Sequence, residues 1–153
     1  RFNFPTMTVC DDRLARTMDE IKQLLTICKA NGIETTFFIN PEYAPSYYCD
    51  NIDFLNKIRR LFAEITDFWD FNGSLAVTGN MYNYVDLIHY RKLVGRMMIA
   101  RIFNVPGMAP ADFGRIVTGE NITAFIAEST REFYINKKKI KLNCLPCRQA
   151  IWK

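Results

Sequence analysis

With 153 residues, 49% of them hydrophobic and 24% charged, the chain has the size and apolar content of one compact domain, which excludes a disordered or fibrous protein. The formal charge of +4 is modest and gathers near the end, at Lys137, Lys138, Lys139, Lys141, Arg148 and Lys153. A solvated basic tail over residues 136–153 is the favoured reading of that cluster; nucleic-acid binding, with Phe133, Tyr134 and Trp152 stacking, is disfavoured because no groove-reading motif accompanies the lysines.

Residues 12–30 place Leu14, Met18, Ile21, Leu24, Leu25 and Cys28 at the three-and-four spacing of one buried helical face, and Asn31-Gly32 supplies a stop. Residues 33–39 are β-branched and aromatic and are cut off by Asn40-Pro41, which predicts a buried strand. Helical periodicity returns after Asn51 through Phe54, Ile58, Leu61, Phe62 and Ile65, and a short strand is predicted at 68–71. Residues 72–83, rich in Gly, Asn, Ser and Thr, read as an irregular loop, and residues 91–103 as another amphipathic helix. A turn-rich stretch at 105–110 and a last helix from about 122 to 133 complete the order. Alternating strands and helices predict an α/β fold, a parallel sheet with helices on both faces, with the domain over residues 1–135.

No apolar run approaches the roughly 20 residues of a spanning helix, so no membrane contact is expected of this segment. No leader pattern is present either; a signal or anchor is expected only upstream of Arg1, and the chain reads as an excised or processed piece. Five cysteines form no disulfide framework. Cys144-Leu145-Pro146-Cys147 has the spacing of a redox or zinc half-site, but no second Cys or His pair completes four ligands, so neither metal nor cofactor is expected.

The chemistry-bearing feature is the sole histidine, His89, three residues after Asp86 in Tyr84-Val85-Asp86-Leu87-Ile88-His89-Tyr90. A carboxylate beside an imidazole fixes its tautomer and stabilises the imidazolium formed when the ring takes a hydroxyl proton. The bland alternative is that Asp86 caps a helix start and His89 is an ordinary first-turn residue.

The setting of this pair resembles the SGNH or GDSL-type hydrolases, in particular the bacterial branch of cell-envelope polysaccharide acyltransferases and esterases. The resemblance rests on Asp86-Leu87-Ile88-His89 followed by Tyr90-Arg91-Lys92-Leu93-Val94-Gly95, on Phe68-Trp69-Asp70-Phe71-Asn72-Gly73, on Asn40-Pro41-Glu42-Tyr43-Ala44, and on Ala111-Asp112-Phe113-Gly114 to Glu120-Asn121-Ile122. It implies a flavodoxin-like three-layer fold in which His89 is the general base and Asp86 its orienting carboxylate. It also implies a serine nucleophile in a Gly-Asp-Ser block, which this sequence lacks; no oxyanion-hole glycine or asparagine is assignable, and Ser46, Ser74 and Ser129 lack the required surroundings.

Glu42 and Tyr43, at the exit of the first strand, are candidate substrate-pocket residues, with a solvent-facing loop role equally open. Trp69 and Tyr82 are candidates for stacking on a sugar ring, with plain core or loop packing the favoured reading of both. The expected function is the Asp/His part of an esterase or O-acyl transferase acting on an acylated carbohydrate or similar ester, without cofactor, at the periplasm or cell envelope, with the cytoplasm as the alternative compartment. The competing expectation is a catalytically silent module that uses the same cleft for binding. A flavodoxin-like cofactor binder is weaker still, since no Gly-rich phosphate loop follows a strand.

Overall fold

In the computed structural model, which describes residues 11–139, the chain divides into two compact units, residues 1–36 and residues 37–153. The first contains α1 (Asp11–Ala30). It ends where Asn31-Gly32 predicts: Gly32 sits at φ 66°, Ile33 N–H donates to the Cys28 carbonyl at 2.9 Å, and Gly32 N–H to that of Lys29 at 3.2 Å. Glycine reaches this left-handed conformation without a Cβ penalty, and the paired bonds satisfy carbonyls that the helix end leaves open. Leu24, expected on the buried face, is exposed.

The second unit runs β1 (Phe37–Ile39), α2 (Ala44–Tyr47), α3 (Ile52–Ala63), β2 (Phe68–Asp70), α4 (Leu75–Thr78), a 3₁₀ turn at Met81–Asn83, α5 (Lys92–Ile102), β3 (Arg115–Val117) and α6 (Ile122–Lys139). The fold is α/β. The sheet order is β1-β2-β3: β1 lies parallel to β2, with Phe37 opposite Phe68 and Ile39 opposite Asp70, whereas β3 is antiparallel to β2, with Phe68 opposite Val117. The sheet is therefore mixed rather than all-parallel, and β3 has no counterpart in the sequence reading. Three residues between Gly114 and the Gly119 turn are too few for alternation to register. Likewise the strand expected over 33–39 contracts to its last three residues, and the loop expected over 72–83 carries α4 and the 3₁₀ turn.

The two-residue period of a strand sorts the sheet's side chains. Phe37, Ile39, Phe68 and Val117 pack with Phe62, Ala63, Phe125 and Ile126 of α3 and α6. Trp69 and Phe71 turn to the opposite side and pack with Val77, Val94, Met98 and Phe113, which brings in α4 and α5. Gly114, at φ 83°, lies against the Phe71 ring, where any Cβ would collide. A third cluster, Ala44, Tyr47, Tyr48, Ile52 and Phe133, closes α2 against the far part of α6. Phe133 is thus buried among tyrosines rather than offered for stacking, and α6 carries Lys137, Lys138 and Lys139 in its last turn, beyond the expected boundary at 135. Lys141, Cys144, Cys147, Arg148, Trp152 and Lys153 lie outside the described residues.

The buried stripe of α3 departs from the apolar face that its sequence suggests. Asn51 caps the helix by accepting from Asp53 N–H and Phe54 N–H at 3.0 and 3.2 Å, and Ile52, Asn56, Arg59 and Ala63 point inward. Arg59 Nε donates to Asp70 Oδ2 at 2.7 Å with both side chains 1% exposed. Its other nitrogens donate to Asn56 Oδ1 at 2.9 Å and to the Tyr47 hydroxyl at 3.4 Å, while Asn56 Nδ2 donates to Thr130 Oγ1 at 2.9 Å. Burial alone would lower the guanidinium pKa; the facing Asp70 carboxylate reverses this, and the net shift is upward. Removing one member of such a pair leaves a buried charge without a partner. Arg59→Ala is accordingly expected to lower unfolding stability by about 3–5 kcal/mol in urea denaturation. A loss of under about 1 kcal/mol, the size of an ordinary surface ion pair, would show that Asp70 does not depend on Arg59.

Candidate active site

Residues 83–91 form a narrow antiparallel turn. Arg91 N–H donates to the Asn83 carbonyl and Val85 N–H to the His89 carbonyl, each at 2.8 Å, with Tyr84 opposite Tyr90 between them. The four residues at its tip are Asp86, Leu87, Ile88 and His89. Aspartate favours such turns because its short carboxylate reaches backbone N–H groups two and three residues on. Asp86 Oδ1 accepts from Ile88 N–H at 2.9 Å and from His89 N–H at 2.8 Å. Its second oxygen, Oδ2, lies 2.6 Å from His89 Nδ1. The sequence-based alternative, Asp86 as a helix cap, is not what forms: α5 starts at Lys92 and its N-cap is Arg91.

Those contacts define the electrostatics. The Ile88 N–H, the His89 ring and the His89 N–H all favour the ionised carboxylate, and Asp86 is held at a pKa of about 2. Asp86 therefore stays charged across the neutral range and accepts a proton-bearing Nδ1. That tautomer leaves the Nε2 lone pair on a ring that is 70% exposed, free to take a proton from an approaching hydroxyl.

The tip is tied directly to the exit of β1 and, through Asn72, indirectly to that of β2. Tyr43 N–H, beyond β1, donates to the Leu87 carbonyl at 3.0 Å, and the Tyr43 ring packs on Tyr84 at 5.5 Å between centroids. The buried Tyr84 hydroxyl donates to the Pro41 carbonyl at 3.3 Å, and Arg91 Nε donates to the Tyr84 carbonyl at 3.0 Å. Beyond β2, Asn72 N–H donates to Asp70 Oδ1 at 2.9 Å, and Asn72 Oδ1 accepts from Glu42 N–H at 3.0 Å. Ligands of parallel α/β sheets gather at such carboxyl ends.

Of the residues predicted for the site, the structure brings Glu42 and Tyr43 to the loop that supports Asp86 and His89. Trp69 is placed elsewhere: it lies in β2, stacks on Phe71 at 5.8 Å and has the Arg101 guanidinium 5.8 Å from its ring, the packing alternative. Tyr82 stands exposed in the 3₁₀ turn, with its backbone N–H bonded to Asn80 Oδ1. The sequence reading passed over Asn72, which joins the two strand exits; its signal was an Asn-Gly pair directly after an apolar strand.

The serines are otherwise engaged. Ser74 Oγ donates to Asp112 Oδ2 at 3.0 Å, Ser129 Oγ to the Ile126 carbonyl at 3.3 Å, and Ser46 bonds the Glu42 carboxyl. One cleft of about 510 Å³ is lined by residues including Ser74, Asp112, Arg115 and Asn136, and another of about 500 Å³ lies between α3 and α6; neither is lined by Asp86 or His89. Among the described residues, no group of three or more His, Cys, Asp or Glu side chains is placed to hold a metal ion, and no helix is long and apolar enough to cross a membrane. No protein-family model, curated protein or solved structure matches the chain.

Glu42 is perturbed in the opposite direction to Asp86. Burial raises its pKa to about 7, and the neighbouring Asp50 carboxylate adds to the rise. A carboxyl whose folded pKa exceeds its unfolded value of 4.5 favours the fold in its protonated form. That contribution is complete below pH 4.5 and is lost as pH climbs through about 7. Glu42→Gln, which stays neutral, is therefore expected to flatten the fall in thermal midpoint between pH 5 and pH 8 relative to the parent. Parallel pH profiles in parent and variant would show that Glu42 titrates as an ordinary carboxyl.

Proposed function

We propose that this chain supplies the general-base element of a serine-type ester hydrolase or O-acyl transferase on a flavodoxin-like, SGNH-type domain. The observation that carries this reading is the 2.6 Å contact between Asp86 Oδ2 and His89 Nδ1 on a turn bonded to the exit of the parallel strand β1. In this reading Nε2 of His89 takes the proton of an attacking hydroxyl as that oxygen bonds to the ester carbonyl, and Asp86 stabilises the imidazolium. The same nitrogen then returns the proton to the departing alkoxide. The hydroxyl is that of a serine in a Gly-Asp-Ser turn carried by a further segment, since the three serines here are engaged in the other contacts described above. The substrate class is an acylated carbohydrate or similar ester, and the setting is the periplasm or cell envelope, as the sequence resemblance implies. Glu42 and Tyr43 stand where a substrate pocket would border the base.

A second reading, a catalytically silent binding module that retains the same loop, draws on the engagement of every described serine away from His89. An acetyl-ester hydrolysis assay on the full-length gene product separates the two. The hydrolase reading expects His89→Ala to lose about 10²–10⁴-fold in rate, the usual contribution of a positioned acid–base group. Equal rates in parent and variant would remove His89 from the mechanism. A folded parent no faster than buffer would decide for the silent module.

A further inference from the structure

Of the sixteen large hydrophobic side chains exposed among the described residues, nine lie within residues 81–108. That concentration coincides with a break in charge balance: residues 87–111 contain Arg91, Lys92, Arg96 and Arg101 and no Asp or Glu. Helical geometry gathers the two features. On α5, Lys92, Arg96, Ile99 and Phe103 follow at intervals of four, three and four, which aligns them along one face. All four are exposed, Phe103 at 72%. The opposite face, Val94 and Met98, is buried in the core against Phe71 and Phe113. Beyond the helix, Asn104 at φ 53° turns the chain so that Val105 and Met108, both exposed, extend the apolar surface.

We infer that the outer face of α5, with residues 103–108, docks on an anionic phospholipid surface. Two cationic side chains followed by Ile and Phe along one exposed helix face match the chemistry of a headgroup layer over acyl chains, where Lys and Arg meet phosphates while apolar groups sink below. A second copy of this chain is a poor occupant, because a two-fold contact would gather Lys92 and Arg96 of both copies into one interface with no acid on this face to offset them. A nucleic acid would set Ile99 and Phe103 against phosphates. A folded protein partner would have to present carboxylates opposite Lys92 and Arg96 and an apolar recess for Ile99 and Phe103 at one fixed spacing; a fluid, planar surface meets both needs without a matched shape. Surface contact and spanning have different requirements, and the expectation of no membrane contact rests on the length rule for spanning alone. The inference is independent of the hydrolase reading, although α5 begins three residues after His89 and docking would hold the base beside the headgroups.

The test is co-sedimentation of the protein with vesicles of phosphatidylcholine alone or mixed with phosphatidylglycerol, at low and physiological salt. Binding is expected to the mixed vesicles only and to weaken with salt. Lys92→Gln/Arg96→Gln is expected to reduce it by roughly fivefold for each charge removed. Phe103→Ser should reduce it by about tenfold. These positions are exposed, so circular dichroism should show an intact fold, and His89→Ala should bind as the parent does. Equal partition onto neutral and anionic vesicles, or parent-like binding by both variants, would overturn the inference. So would concentration-dependent self-association, or retention of an acidic protein, through this face without vesicle binding.

Discussion

The ion pair between Arg59 and Asp70 is the contact on which the arrangement of the second unit turns. It joins α3 to the central strand at 2.7 Å in a place where both side chains are 1% exposed. One oxygen of Asp70 faces the guanidinium and the other accepts from Asn72 N–H, so the same carboxylate fixes the helix layer and the strand exit. From there Asn72 holds Glu42 N–H, and the adjoining Tyr43 N–H holds the Leu87 carbonyl at the tip of the turn. The pair thus stabilises more than itself. Asn56 and the Tyr47 hydroxyl accept from the other two guanidinium nitrogens, and Thr130 in turn accepts from Asn56, which is what makes a buried charge tolerable.

Asp86 and His89 draw on a different source of order. Their contact is local, made within four residues, and three N–H groups converge on one carboxylate before any tertiary contact is counted. Local order fixes the internal geometry of the pair; the bonds from Tyr43 and the Tyr84 hydroxyl fix where it stands relative to the sheet. This division explains why the pair can be exposed and still preorganised. Exposure weakens its field through solvent screening, yet leaves Nε2 open to a reacting group.

How much of this was legible in the sequence follows the same division. The Asp86 to His89 pairing was readable because a three-residue spacing suffices for an Asx turn, and the Asn31-Gly32 stop because a glycine at positive φ is local chemistry. The longer helices α1, α3 and α5 were legible from their apolar period and the strand at 68–70 from its aromatic run, which gave the α/β class, whereas the single-turn helices α2 and α4 are too short to show a period. Both roles weighed for Trp69 stay open in the sequence because an aromatic in a strand looks alike whether it faces a ligand or, as here, Phe71 and Arg101. The antiparallel β3 was invisible because its pairing depends on β2, remote in sequence. Arg59 lies outside the apolar period by which α3 is read, so nothing in the sequence singles it out; the position of Asp70 across the interface turns it inward.

The most direct measurement is the protonation pattern of the His89 imidazole, read from its ¹⁵N shifts in the neutral ring. With Asp86 Oδ2 2.6 Å from Nδ1, the expected state carries hydrogen on Nδ1 and a bare Nε2, and Asp86→Ala should shift the ring towards the Nε2–H tautomer that an unconstrained histidine side chain favours. A ring already protonated on Nε2 in the parent, or a pattern that Asp86→Ala leaves unchanged, would contradict the assignment of His89 as a carboxylate-oriented base.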